Sequence, residues 1–348
     1  QKSKKSRSVC GVSFGTRQRP QLPALFSEEP LDSMLREFIA LLILASKVAG
    51  KSTCRIQDIQ QSDGSFLVPP SCKKLALGGA SLGDHGMTKL ALALSVEGVS
   101  LNEVHVPTTK MGPIGARALA SYLVKAGSAN SLRIINMYGN AIGDDGAIAL
   151  AELFAGNNEN GIPLETLGIG VNDIGAAGAA ALAKTLGDCR ACPLKTLGLY
   201  RNKVGDDGAV ALSNMVAKNQ VALSALFLGG NGVANRGAEM LAKALATNTQ
   251  LKVLSLEGGT VGNDGAVALG AALATSRSLT TLDIRSCLPT HRNCITGQLD
   301  ENETKDEAED ENRMGYRGFM ALKDAVKKRG STDGPALKVI GDIDFGVT

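Results

Sequence analysis

Tryptophan is absent from this chain of 348 residues, and aromatic side chains make up only 3% of it. Each aromatic buries a large area, and globular cores normally lean on them. A core built without them must come from Leu, Ile, Val and Ala in thin, regular layers. Histidine is also scarce: His85, His105 and His291 are the three, and none has the spacing of a triad or a metal site. Long apolar runs are missing too. The most apolar stretch, Phe38 to Ala45, is flanked by Arg36, Glu37 and Lys47 and falls far short of the about 20 residues that span a bilayer. No membrane span is expected.

A cysteine framework is likewise missing. The seven cysteines are odd in number and scattered, without a framework spacing, which favours free thiols in an intracellular reducing compartment. Cys189-x-x-Cys192 is the one close pair. A structural zinc needs four ligands, and no second pair or nearby histidine supplies them, so both are read as free, metal-free thiols in a loop. These shortages leave no catalytic constellation, no metal site and no cofactor to propose. The chain reads as a non-enzyme.

Glycine, alanine and uneven charge are what the sequence has. The net charge of +3 hides two blocks. Residues 1–27 carry Lys2, Lys4, Lys5, Arg7, Arg17 and Arg19 and no acid, whereas 300–311 carry eight acids against Lys305. Such blocks repel themselves and usually form tails or loops that meet partners. The start, QKSKKSRSV, is basic and serine-containing, as the remnant of an organellar transit peptide would be; an incomplete sequence is the alternative. Either the cytoplasm or an organelle interior is therefore expected. A nucleic-acid role would rest on the basic arm alone, which lacks interleaved aromatics, and is disfavoured.

Self-similarity is the strongest signal. LETLGIGVNDIGAAGAAALAKTL from 164 is followed by LKTLGLYRNKVGDDGAVALSNMV from 194, LSALFLGGNGVANRGAEMLAKAL from 223 and LKVLSLEGGTVGNDGAVALGAAL from 251. Upstream, LRIINMYGNAIGDDGAIALAELF at 132 and LNEVHVPTTKMGPIGARALASYL at 101 share the frame, and a weaker copy starts at Cys72. The fourth position runs Leu75, Val104, Ile135, Leu167, Leu197, Leu226, Leu254 and Leu282, at spacings of 28 to 32 residues. In each unit L-x-x-L-x-L alternates with period two and predicts a strand. G-A-x-A-L-A-x-x-L has helical spacing. The turn N-x-[IV]-G-D-D-G supplies glycines for tight backbone and Asp for helix capping. Calcium is the other reading of Asp144–Asp145 and Asp206–Asp207, but their recurrence at one repeat position favours caps.

This pattern resembles the ribonuclease inhibitor-like class of leucine-rich repeat over about residues 72–345. The resemblance implies an α/β solenoid, a horseshoe with a parallel sheet on the concave face and helices on the convex face. It also implies a turn asparagine that hydrogen-bonds neighbouring backbone, matched at Asn140, Asn172, Asn202 and Asn231 and replaced at Ala80, Thr109, Gly259 and Cys287. The expected organisation is a basic irregular arm (1–30), a helical N-terminal cap (31–71) and a repeat domain of eight to nine units (72–348). An acidic insertion at 289–314 separates the eighth strand from its helix near Arg317, and a ninth strand at 337–345 ends the sheet. A phosphate-loop-like stretch at 45–52 lacks the α/β domain such a loop needs and is set aside.

Outward strand positions of units three to six are Ile134, Asn136, Tyr138; Thr166, Gly168, Gly170; Thr196, Gly198, Tyr200; and Ala225, Phe227, Gly229, none of them charged. The flanking units carry Lys74, Glu103, Glu257, Asp283 and Arg285 there. Aromatics on a smooth floor suit contact with other proteins, with Ile134, Asn136, Tyr138, Tyr200 and Phe227 as candidate partner-binding residues. The expected function is a protein-protein interaction scaffold or accessory subunit of a multisubunit assembly. The alternative is a GTPase-activating or NOD-like-receptor-type regulatory repeat protein. No nucleotide-binding domain accompanies these repeats, and the acidic stretch interrupts them, whereas in Ran GTPase-activating proteins it follows them.

Overall fold

The structure, a computed structural model, describes residues 52–95, 99–126, 131–155, 162–190, 192–285, 314, 316–330 and 337–340. The basic arm, most of the 31–71 stretch, the acidic run, Cys287 and His291 lie outside them. Ten three-residue strands pair in sequence order as one parallel sheet: β1 (Thr53–Arg55), β2 (Lys74–Ala76), β3 (Glu103–His105), β4 (Ile134–Asn136), β5 (Thr166–Gly168), β6 (Thr196–Gly198), β7 (Ala225–Phe227), β8 (Val253–Ser255), β9 (Thr281–Asp283) and β10 (Lys338–Ile340). Their central residues align as Cys54, Leu75, Val104, Ile135, Leu167, Leu197, Leu226, Leu254, Leu282 and Val339. The sequence pattern leads to nine strands at most. The tenth is β1, inside the stretch expected to be helical. It precedes the first full repeat and carries a single apolar residue, so no periodicity announces it.

Apart from the single-turn α1 (Ile56–Ile59), helices follow strands one for one: α2 (Gly83–Leu94), α3 (Pro113–Ala126), α4 (Gly143–Ala151), α5 (Ala176–Asp188), α6 (Gly205–Ala217), α7 (Asn235–Thr247), α8 (Asn263–Thr275) and α9 (Tyr316–Gly330). Consecutive members of α2 to α9 pack side by side. The core lies between helices and sheet. Leu75, Val104, Ile135, Leu167, Leu197, Leu226, Leu254 and Leu282 are all fully buried.

Two kinds of polar stitch join neighbouring units. On the sheet side the turn asparagines act as the resemblance implies. Asn202 Oδ1 accepts the amides of Asn172 and Ile174, and its Nδ2 donates to the carbonyls of Ile169 and Leu199. Asn140 does the same for Thr109, Met111, Val106 and Met137. One side chain thus satisfies four buried backbone groups that could not otherwise meet.

On the helix side the acids cap forward, not locally. Asp84 Oδ1 accepts the amides of Gly112 and Gly115 at the start of α3, at 2.8 and 2.7 Å. Asp144 does so for Gly175, just before α5, and Gly178 in its first turn, and Asp206 for Ala234, just before α7, and Gly237 in its first turn. Asn235 and Asn263 continue the scheme towards α8 and α9. In the intervening units Pro113 and Ala176 stand at this position and offer no acceptor. The helices that follow them, α4 and α6, open on Gly143 and Gly205 at φ of 59° and 58°, a left-handed conformation that favours glycine. Their amides donate instead to the carbonyls of Asn172 and Asn231. Asp84, Asp144 and Asp206 therefore each belong energetically to the next unit.

The cysteines depart from expectation. Cys189 and Cys192, read as free thiols, are joined as a disulfide at the end of α5, and Cys54 of β1 is joined to Cys72. Counting and spacing along the chain cannot reveal that Cys54 and Cys72 lie 5.9 Å apart, Cα to Cα, across the fold.

Candidate functional site

Side chains before and after each central strand residue point away from the helices, because successive strand residues alternate between faces. They form two rows across the sheet, and a third follows beyond the strand ends. The first row runs Lys74, Glu103, Ile134, Thr166, Thr196, Ala225, Val253 and Thr281; the second, Ala76, His105, Asn136, Gly168, Gly198, Phe227, Ser255 and Asp283. The third lies two residues further on and includes Tyr138, Gly170, Tyr200 and Gly229. All five candidate residues lie on this face. Ile134, Asn136 and Tyr200 are half-buried, while Tyr138 and Phe227 are exposed at 43% and 37%. From β4 to β7 the set spans three strand spacings, about 14 Å.

The floor glycines divide into two classes that the sequence does not distinguish. At Gly170 an added Cβ would stand 3.3 Å from Tyr138 Cδ2, and at Gly229 it would stand 2.9 Å from Tyr200 Cδ2. Each tyrosine ring leans over the glycine of the following unit, so those two positions are seats for the rings and leave no room for a partner. Gly168 and Gly198 differ. Nothing approaches their Cβ positions closer than 3.7 Å. They form a bare notch, with Asn136 at one end and Phe227 at the other end of the same row. Asn136 Oδ1 accepts the Tyr138 amide at 3.0 Å, which fixes the amide group at the notch edge. Arg201, adjacent to Tyr200, places its guanidinium carbon 5.4 Å from the ring centroid, a cation-π contact outside the candidate set.

Charge surrounds this neutral floor but is internally paired. Towards β2 and β3, Glu103 meets Lys74 Nζ at 2.6 Å and His105 Nε2 at 2.8 Å. The Lys74 and His105 hydrogen bonds hold the Glu103 carboxyl below its ordinary range. Towards β8 and β9, Arg285 binds Asp283 at 2.7 Å and Glu257 at 3.3 Å. Beside the central strands Glu165 bridges Lys195 and Arg133, whose hydrogen bonds lower its pKa in that order. At Thr108 and Val171 the chain turns with φ of 52° and 55°, where Gly79, Gly139 and Gly230 occupy the equivalent place. β-branched residues are strained there.

No group of three or more His, Cys, Asp or Glu side chains suited to a metal occurs among the described residues. Asp144 and Asp206 spend an oxygen on helix amides, which supports the capping reading over calcium. No described helix is long and apolar enough to cross a membrane.

Comparison with known proteins bears on the repeat itself. The leucine-rich repeat family model matches residues 128–151, 190–213 and 247–270. No curated protein sequence matches the chain. Among solved structures it is similar to leiomodin-1 actin-binding site 2, at TM-score 0.35 and 18% identity over 41% of this chain and 80% of that one. It is also similar to the plant peptide hormone receptor RGFR1 in complex with RGF2, at TM-score 0.31 and 12% identity over 64% of this chain and 32% of that one. A third similarity is to a chain of the octameric complex of latrophilin 3, Unc5D and FLRT2, at TM-score 0.33 and 15% identity over 79% and 85%. With its parallel sheet, its single layer of helices and the three matched segments, the chain is a leucine-rich-repeat solenoid.

Proposed function

We propose that this chain is a non-catalytic protein-protein interaction scaffold, an accessory subunit of a larger assembly, whose exposed sheet face receives a segment of another protein. One observation carries the reading. The notch at Gly168 and Gly198 is bare and uncharged, with Phe227 at one end of its row and the Tyr138 and Tyr200 rings in the neighbouring row over Gly170 and Gly229. Aromatic anchors around a recess that excludes water are the usual centre of a protein contact. An apolar or weakly polar segment suits it, because a charged group entering there would lose water without finding a partner. The basic 1–27 and acidic 300–311 segments add charged contacts in this reading. The repeat type is ribonuclease inhibitor-like, which the 28 to 32-residue units with a full helix each support.

Two variants test the floor from opposite directions. Tyr200→Ala with Phe227→Ala removes anchors worth about 2 kcal/mol each. Gly198→Leu instead fills the notch, where space for a side chain exists. Both are expected to keep the wild-type melting temperature and to lose the partner that co-purifies with the native chain. Retention of every native partner by both folded variants overturns the proposal.

A further inference from the structure

The helix layer carries a second surface, independent of the floor. Counting the first glycine of each turn motif as position one, Ile114 of α3, Ile148 of α4, Leu92 of α2 and Val124 of α3 stand at positions 3, 6, 10 and 13. Those positions face outward on each helix, so all four lie on the outer side of the helix layer, two on α3 and one each on α2 and α4. They are the most exposed large aliphatic side chains among the described residues, at 66%, 42%, 74% and 45%. In α5 to α8 the same positions hold Ala, Gly and polar or charged residues, with half-buried Val210 and Val267 as the exceptions. The exposure is therefore a local feature of α2, α3 and α4 and not a property of the repeat.

Charge is equally local. Lys89 on α2, Lys110 before α3, and Arg117 and Lys125 on α3 are all exposed. The one acid on these two helices, Asp84, is half-buried with Oδ1 committed to Gly112 and Gly115. Acids return on α4 and just after it, where exposed Asp145 and Glu152 flank Ile148 and close that side. Ile114 and Val124 are separated by about 15 Å along α3, and α2 runs beside it at roughly 8–10 Å. Exposed aliphatic and basic side chains thus share the outer face of two neighbouring helices, α2 and α3, with Arg117 between Ile114 and Val124.

We propose that the outer α2–α3 face binds an amphipathic helix of another protein, with aliphatic residues on one side and acidic residues along its flanks. Exposed Leu92, Ile114 and Val124 offer apolar contacts to such a helix, and Lys89, Lys110, Arg117 and Lys125 match acidic flanks. A lipid surface would share the charge preference. Interfacial faces, however, commonly carry Trp or Phe, and this one holds only Leu, Ile and Val.

The test uses the full chain and a fluorescein-labelled, hydrocarbon-stapled helical peptide with leucines at positions 1, 4, 8 and 11 and glutamates on both flanks. A second peptide has lysine for every glutamate. Fluorescence anisotropy is expected to show binding of the acidic peptide only, weakening as salt rises and the screening length falls from about 10 Å at 0.1 M to about 3 Å at 1 M. Leu92→Gln with Ile114→Gln, and separately Lys89→Glu with Arg117→Glu, should each weaken it at least about tenfold. These side chains are exposed, so melting temperatures should stay at the wild-type value. Equal binding of both peptides, no binding of the acidic one, or affinities that neither double variant changes overturn the proposal. So does sedimentation with phosphatidylserine vesicles without peptide binding, which makes the face a lipid site. Reversible dimerisation that the Leu92→Gln, Ile114→Gln variant abolishes makes it a self-association face and overturns it too.

Discussion

The middle of the sheet and its two ends solve the same joining problem by different means. Units three to six use the asparagine ladder, in which Asn140, Asn172, Asn202 and Asn231 are buried and bonded to backbone of the preceding unit. At the N-terminal end Ala80 and Thr109 replace the asparagine, and the Cys54–Cys72 disulfide ties β1 to the chain entering β2. At the C-terminal end Gly259 packs so closely that an added Cβ would stand 2.8 Å from the Val233 carbonyl oxygen. The surfaces follow the same division. The neutral floor lies over the ladder, whereas paired charges sit over the ends. An interior unit is covered on both sides, so its turn must be satisfied by its neighbours.

That difference sets how much each region should resist damage. Leu197→Asp buries an uncompensated charge between two neighbours and is expected to cost more than about 4 kcal/mol. Val339→Asp, on the half-buried last strand, should cost less than about 2 kcal/mol. Urea unfolding followed by circular dichroism compares them, and equal losses would erase the distinction between middle and end. Next in size is Asn202→Ala, which strands the Asn172 and Ile174 amides and should cost about 3 kcal/mol.

Replacing both Cys54 and Cys72 by Ala should cost up to about 3 kcal/mol on loop-closure grounds. Hydrogen exchange should show the loss confined to β1 and β2, with β5 to β7 unchanged. Thiol labelling under denaturing conditions checks the premise: Cys54, Cys72, Cys189 and Cys192 should react only after reduction. The smallest expected effect is Asp206→Ala, at about 1 kcal/mol. Its signature is positional. Amide exchange should accelerate at Ala234, just before α7, and Gly237 in its first turn, and not at the start of α6, on which Asp206 itself resides.

The repeat frame, the buried face of every strand from β2 to β9 and the helix after each were legible because period two and period 3.6 are imposed by local geometry. The candidate residues on the floor were legible for the same reason: once a strand is phased, its outward positions follow. What stayed hidden involved residues close in space and distant in the chain. Asp144 looked like the cap of α4 because capping is usually local; only stacking shows its Oδ1 meeting Gly175 and Gly178, thirty-one and thirty-four residues on. Gly170 and Gly229 looked identical to Gly168 and Gly198 until the lean of Tyr138 and Tyr200 separated ring seats from open notch.

By itself, then, this sequence determined the solenoid, its register and an uncharged central floor, since a unit that recurs every 28 to 32 residues has little freedom except to stack on its copies. Tertiary structure alone decided the tenth strand, both cysteine pairings, the forward caps and the exposed aliphatic and basic side chains on the outer side of α2 to α4. Each of these depends on how far apart two units sit and which way their side chains turn towards one another. Those distances are set by packing across the stack, which no single unit encodes.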